Sequence, residues 1–207
     1  TVLFDTGPEE ASFLRNANIL GVDFSTVEAV LLSHGHWDHG GGLVAAIKAI
    51  SKARNRRSVD CLMHPGMFAE RALERPNGEF LKFESVPAVN ALADAGANVI
   101  NTREPQFIAG GAFYVSGEIP RVTPYEIGFP GHVRRGADGQ SWEPDPLIMD
   151  ERFISVHVKY RGQFIFSACS HAGVVNVLTH ARSLFPSVPL YGVMGGLHLA
   201  GATEKII

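Results

Sequence analysis

The segment Ser33-His34-Gly35-His36-Trp37-Asp38-His39-Gly40-Gly41-Gly42 constrains this chain more than any other stretch. Four side chains able to bind a metal, His34, His36, Asp38 and His39, fall within six residues, directly after the apolar run Val27–Leu32. A core does not ordinarily hold three histidines and an aspartate together, because each needs its own polar partner. A solvated histidine-rich loop does not fit the placement either. The cluster stands where an apolar strand ends and a helix begins, which is where α/β proteins build their sites. Imidazole and carboxylate suit zinc and, less well, iron or manganese. His34 and His36 are two residues apart, so an extended backbone projects them to one side. Asp38 and His39 lie at the mouth of the next helix and point elsewhere. One pair suits one ion and the second pair another, so one or two ions are expected.

The remaining pattern reads as α/β. Val2–Phe4, Val27–Leu32, Val59–Met63, Asn98–Asn101, Gln106–Ile108 and Ala112–Ser116 read as strands. Helices are predicted over Glu9–Asn18, Leu43–Ala53, Pro87–Ala95 and Ala172–Leu184. In the second of these, Leu43, Ala46, Ile47 and Ile50 recur at helical spacing. Gly96 supplies a left-handed stop for the third. Phe153–Val158 and Phe164–Ser167 flank a Gly-containing loop and read as a hairpin, and Leu190–Met194 as a last strand. His157 is expected on the solvent side of its strand, and His180 on the polar face of its helix. Cys61 reads as a core thiol. Gly117–Arg152 has five Gly, five Pro and no clear period. A structureless stretch of that length is usually functional or mobile, so it reads as an insertion over the mouth of the site. The whole, residues 1–207, reads as one domain.

Two later histidines repeat the architecture of the cluster: apolar strand, small residues, then histidine. His171 follows Phe164–Ser170, and His198 follows Leu190–Leu197. Small residues beside a ligand let the backbone come close. Both are therefore candidate ligands. Cys169 is open between a soft ligand and a small apolar filler, the filler reading being preferred. His64, after the strand Val59–Met63, is open between contacting substrate, serving as an acid, and a structural histidine.

Composition excludes several classes. Apolar residues make up 45% and charged residues 19%, which supports a sizeable core and argues against disorder. A net charge of −3 argues against a nucleic-acid-coating protein. No apolar run approaches membrane length. Two cysteines are too few for a disulfide scaffold. A cytoplasmic protein acting on a small molecule is expected. The chain reads as truncated at both ends, since it opens inside the strand at Thr1-Val2-Leu3-Phe4 and closes at Lys205-Ile206-Ile207 without a cap.

The pattern His34-x-His36-x-Asp38-His39 at a strand end resembles the signature of the metallo-β-lactamase superfamily. Asp5, in Val2-Leu3-Phe4-Asp5-Thr6-Gly7, matches a second superfamily feature. The resemblance implies a four-layer αβ/βα sandwich with metals at the seam, and a buried Asp5 that orients a ligand histidine and fixes its tautomer. Typical members have a bridging aspartate where this chain has Cys169-Ser170-His171. Their mid-chain histidine has only His132 as a counterpart here, inside the irregular stretch, so His171 is the better third ligand. Ser116-Gly117-Glu118-Ile119-Pro120-Arg121, Asp145-Pro146-Leu147, Cys169-Ser170-His171-Ala172-Gly173 and Gly195-Gly196-Leu197-His198-Leu199 together resemble one branch. That branch holds the archaeal dihydropterin-ribofuranosyl-aminobenzene phosphate synthase and its bacterial relatives. In it the chain would run past Ile207 and carry a further late histidine.

The expected function is a metal-dependent hydrolase using activated water on an ester or phosphoester-type bond, with Asp38 as ligand or general base. A transferase resembling the pterin synthase is the alternative, acting on an anionic, phosphate-bearing substrate held by Arg121, Arg134 and Arg135. A non-catalytic or redox metal-binding protein is a third possibility, and activity of an Asp38→Ala variant would separate it from an enzyme.

Overall fold

The computed structural model describes residues 1–199; the chain end at Lys205-Ile206-Ile207 lies outside them. In chain order the strands are β1 (Val2–Phe4), β2 (Ala29–Leu31), β3 (Val59–Met63), β4 (Arg71–Glu74), β5 (Phe80–Lys82), β6 (Ala97–Asn101) and β7 (Gln106–Ile108). They continue with β8 (Phe113–Val115), β9 (His132–Arg135), β10 (Trp142–Pro144), β11 (Ile154–Val158), β12 (Gly162–Ser167) and β13 (Leu190–Gly195). The helices are α1 (Glu10–Ile19), α2 (Trp37–Gly40), α3 (Leu43–Ala53), α4 (Val89–Ala95) and α5 (Val174–Leu184). The described residues form two compact units, one of residues 1–103 and 133–143, the other of residues 104–132 and 144–199. Among the described residues no helix is long and apolar enough to cross a membrane.

In the first unit β1, β2, β3 and β6 form a parallel sheet in the order β1-β2-β3-β6. Every residue of β2 is buried, as expected for a strand with neighbours on both sides in a parallel sheet. Leu43, Ile47 and Ile50 of α3 and Leu92 of α4 pack on Val30, Cys61 and Met63. Fully burying each such aliphatic side chain contributes about 1.5–3 kcal/mol. Gly96 ends α4 in the left-handed region at φ 111°. Cys61 is fully buried, as its apolar strand predicts.

A second sheet corrects the reading of Gly117–Arg152 as structureless. β9 and β10 arise within that stretch and join β4 and β5 in the order β10-β9-β4-β5. Its cross-strand contacts are aromatic and cationic. Phe80 stacks on Trp142 with centroids 5.6 Å apart, and the Arg135 guanidinium sits 3.8 Å over the Trp142 ring.

In the second unit β13, β12, β11, β8 and β7 form one sheet in that order, and β11 and β12 make the expected hairpin. Val177 and Ala181 of α5 pack on Phe153 and Ile165. His157 is exposed, as expected. His180 is not on a polar face. It follows the buried Asn176 and Val177 by four and three residues, so it shares their face. Its ring meets Phe153 edge-on at 6.0 Å, and burial holds its pKa below the usual histidine range.

That shift has a sign. Between the folded value and an unfolded value of about 6.5, the unfolded chain holds a proton that the folded chain does not. Stability is therefore lost as pH falls through that window. His180→Gln is expected to flatten the fall in urea midpoint as pH drops below about 6.5. An unchanged slope would assign the acid sensitivity elsewhere.

Candidate metal centre

The first unit places Asp5 and the histidine cluster at adjacent strand ends. Because β1 and β2 are parallel and paired, the chain leaves both at the same edge. The Asp5 amide still donates to Leu31 O at 2.9 Å. Asp5 then turns into the left-handed region, φ 61°, which aspartate tolerates better than most residues. Its Oδ1 accepts from the Ser33 amide at 2.7 Å and its Oδ2 from Ser33 Oγ at 2.8 Å. The same Oδ2 lies 2.8 Å from His39 Nδ1. Thr6 reinforces the join, its amide donating to His39 O at 2.8 Å.

These contacts assign tautomers. With Ser33 Oγ donating to Asp5, the same oxygen is left to accept from His34 Nδ1, 2.9 Å away. His34 then carries its proton on Nδ1, and its Nε2 keeps a lone pair. His39 donates from Nδ1 to Asp5, and its Nε2 likewise keeps a lone pair. One carboxylate therefore sets two imidazoles. His34 is fully buried and His36 nearly so. His34 Nε2 and His36 Nδ1 lie 2.9 Å apart, and both the His36 and His39 rings have centroids 4.5 Å from the His34 ring. The His36 ring meets Phe83 edge-on at 5.7 Å. The Asp38 carboxylate, about half exposed, reaches within 3.7 Å of His39 Nε2. This set of imidazole nitrogens and a carboxylate fits zinc, iron or manganese.

His64 follows β3. It is buried, and its Nδ1 accepts from the Gly66 amide at 3.0 Å, capping the turn Pro65–Phe68.

The second unit gathers its own histidines. β12 ends at Ser167, and Ser170 enters the left-handed region at φ 59°. Ser170 Oγ lies 2.8 Å from both Ser167 Oγ and Gly196 O. Gly195 ends β13 against that turn: a Cβ there would lie 1.8 Å from Ser167 O, so only glycine fits. The His171 and His198 rings are 4.3 Å apart, centroid to centroid. Phe129 stacks on His171 at 5.8 Å and meets His198 at 5.4 Å. Cys169 Sγ lies 3.7 Å from His198 Nδ1. His132 stacks on Phe129 at 5.8 Å and contacts Asp145 O at 2.8 Å through Nδ1. Tyr125, Ile127, Phe129 and Pro130 of the long stretch line a cavity of about 330 Å³ with His171 and His198.

The three arginines fall in different units. Arg121, in the second unit, donates to the carbonyls of Ile119, Leu147 and Ile148, and burial lowers its pKa. Arg134 and Arg135 lie on β9. Arg135 pairs with Glu70 at 3.3 Å and donates to Gln140 O at 2.8 Å. Arg134 is exposed, its Nε 4.0 Å from Glu143.

Two acidic residues escape sequence reasoning. Glu126 accepts from the Val175 and Asn176 amides, at 2.7 and 2.8 Å. Glu151 accepts from the His171 and Ala172 amides, at 2.8 and 2.6 Å. Glu126 sits in an irregular stretch, and Glu151 belongs to Asp150-Glu151-Arg152, which reads as surface charge. Neither carries a local signal.

Comparison with known proteins points the same way. A profile of the metallo-beta-lactamase superfamily matches residues 1–133. The 7,8-dihydropterin-6-methyl-4-(beta-D-ribofuranosyl)-aminobenzene-5'-phosphate synthase of Methanocaldococcus jannaschii is 26% identical, over all of this chain and 68% of its own length. An uncharacterized protein of the same organism is 22% identical, over all of this chain and 71% of its own. Among solved structures, a metal-dependent hydrolase of the beta-lactamase superfamily aligns with TM-score 0.75 at 22% identity, covering 99% of this chain and 69% of that one. An N-acyl homoserine lactone hydrolase, with product at its catalytic metal centre, aligns with TM-score 0.51 at 9% identity, covering 95% and 76%. At such identities the structural likeness speaks to fold.

Proposed function

The chain belongs to the metallo-beta-lactamase superfamily and has its α/β fold, and from that membership we propose that it is a metal-dependent hydrolase of small ester- or phosphoester-type substrates. The observation that carries the proposal is the Asp5 network, in which one carboxylate holds His39 directly and His34 through Ser33, with His36 Nδ1 2.9 Å from His34 Nε2. Buried imidazoles arranged in that way favour a cation.

The proposed ion is zinc, one or two per chain, held by His34, His36, Asp38 and His39. His171 and His198 are proposed as further ligands on their strand-end sequence pattern. A divalent ion supplies Lewis acidity, lowering the pKa of water toward 7 and polarising a carbonyl or phosphoryl oxygen. The chain's own groups do the rest. Asp5 and Ser33 hold the imidazoles in the binding tautomer. Asp38, about half exposed beside His39, is proposed as the acceptor of a proton from water. Phe83 covers the His36 ring.

The M. jannaschii synthase, similar over the whole of this chain, favours a second reading, a transferase acting on a phosphate-bearing substrate.

Elemental analysis of the purified full-length protein, followed by assay on phosphodiester, lactone and pterin-phosphate substrates, tests both. Zinc is expected in the wild type and lost together with activity in His34→Ala and His36→Ala. Asp38→Ala is expected to lose turnover. Full zinc content in the His34→Ala, His36→Ala double variant would sink the proposal. Turnover of the pterin phosphate alone would move it to the transferase.

A further inference from the structure

His171 lies one residue after a strained turn. Ser170 holds φ 59°, an arrangement that persists only where its surroundings over-determine it. On one side the turn is fixed by Ser170 Oγ, bridging Ser167 and Gly196. On the other, the next two amides, of His171 and Ala172, both point at Glu151, which takes one on each carboxylate oxygen. Glu151 is fully buried. Burial drives its carboxyl above the usual range, while the Ala172 and His171 amides and the Arg121 guanidinium draw it back. Arg121 in turn ties down the carbonyls of Leu147 and Ile148, in the segment that delivers Glu151. Burying a carboxylate is costly unless its hydrogen bonds are made. Here both oxygens are spent on the backbone of one histidine and its neighbour.

We infer that Glu151 is a positioning residue for His171: its carboxylate clamps the His171 and Ala172 amides and so fixes where the His171 imidazole is presented. The inference rests on the reading of His171 as a metal ligand. Glu126 provides an internal comparison. It makes the same kind of clamp one turn further on, at Val175 and Asn176. A merely structural role for carboxylates at this helix start would make the two equivalent.

The test compares Glu151→Gln, Glu151→Asp, Glu126→Gln and His171→Ala in the full-length protein. Zinc affinity is measured by chelator competition, the ligand field by the visible spectrum of the cobalt(II)-loaded protein, and folding by circular dichroism. Gln keeps the shape of Glu but replaces one acceptor with a donor facing an N–H. Asp keeps the charge but draws both oxygens back by a methylene. Both Glu151 variants are expected to weaken zinc by about tenfold or more and to shift the cobalt bands, with Glu126→Gln like wild type. Unchanged affinity and bands in whichever Glu151 variant folds, while His171→Ala alters them, would overturn the inference alone. So would equal shifts in Glu126→Gln and the Glu151 variants. Unaltered metal binding in His171→Ala would instead remove the ligand reading and the inference with it.

Discussion

Asp5→Asn is expected to leave the fold standing and to weaken zinc binding by about 10–100-fold. The reason is specific to the network. Oδ2 of Asp5 accepts from both Ser33 Oγ and His39 Nδ1, and Oδ1 accepts from the Ser33 amide. In the variant, whichever oxygen the amide nitrogen replaces, it faces a donor where an acceptor is needed. If it replaces Oδ2, Ser33 Oγ and His39 Nδ1 lose their acceptor together. The tautomers of His34 and His39 are then no longer set, and each spends part of its time with a proton on the nitrogen meant for metal. Chelator competition against zinc measures the change, with circular dichroism as the control for folding. An affinity within twofold of wild type would return Asp5 to an ordinary turn role.

Gly35→Ala acts by sterics. A Cβ on Gly35 would lie 2.6 Å from both Cα and O of Met67, and 3.0 Å from Arg71 Nη2. The first two atoms are backbone in the turn capped by His64, and they cannot rotate away. Arg71 is itself buried and donates to Gly66 O at 2.9 Å. Relief requires the segment His34–His36 to move off that turn. Overpacking of this kind costs about 1–3 kcal/mol, and backbone atoms put the site at the upper end. A lowered urea midpoint and a reduced zinc content are expected together, because the residue lies between two donors. A midpoint equal to wild type would mean that the turn yields freely.

The sequence disclosed regular elements where one physical signal dominated. α3 and β3 have the predicted limits, Leu43–Ala53 and Val59–Met63, because the first shows a clean helical apolar stripe and the second a short aliphatic run. The sheet of β4, β5, β9 and β10 was illegible. Arg71–Glu74, Phe80–Lys82 and His132–Arg135 carry no period-two apolar face, and the Phe80, Trp142 and Arg135 contacts that join them are remote in sequence. Asp5 was legible only through the resemblance of Val2–Gly7 to a superfamily feature. Glu151 was not, because nothing in Asp150-Glu151-Arg152 announces that two amides twenty residues later will take its oxygens. Phe129 escaped for a like reason: it gathers His132, His171 and His198 around one ring only after folding.

β1 is three residues long, each of them only half-buried, and among the described residues it pairs with β2 alone. By itself such a strand belongs to the part of a protein that opens most readily. Yet Asp5 hangs from its end. Any ion whose affinity depends on Asp5 binds the closed strand more tightly than the open one, so its free concentration enters the opening equilibrium of β1. A 10–100-fold difference in affinity adds at most about 1.4–2.7 kcal/mol to the opening cost once the ion is saturating. Such an ion would act as a latch on a strand it never touches, and the least buried strand of the parallel sheet's first pair would become as secure as the supply of that ion allows.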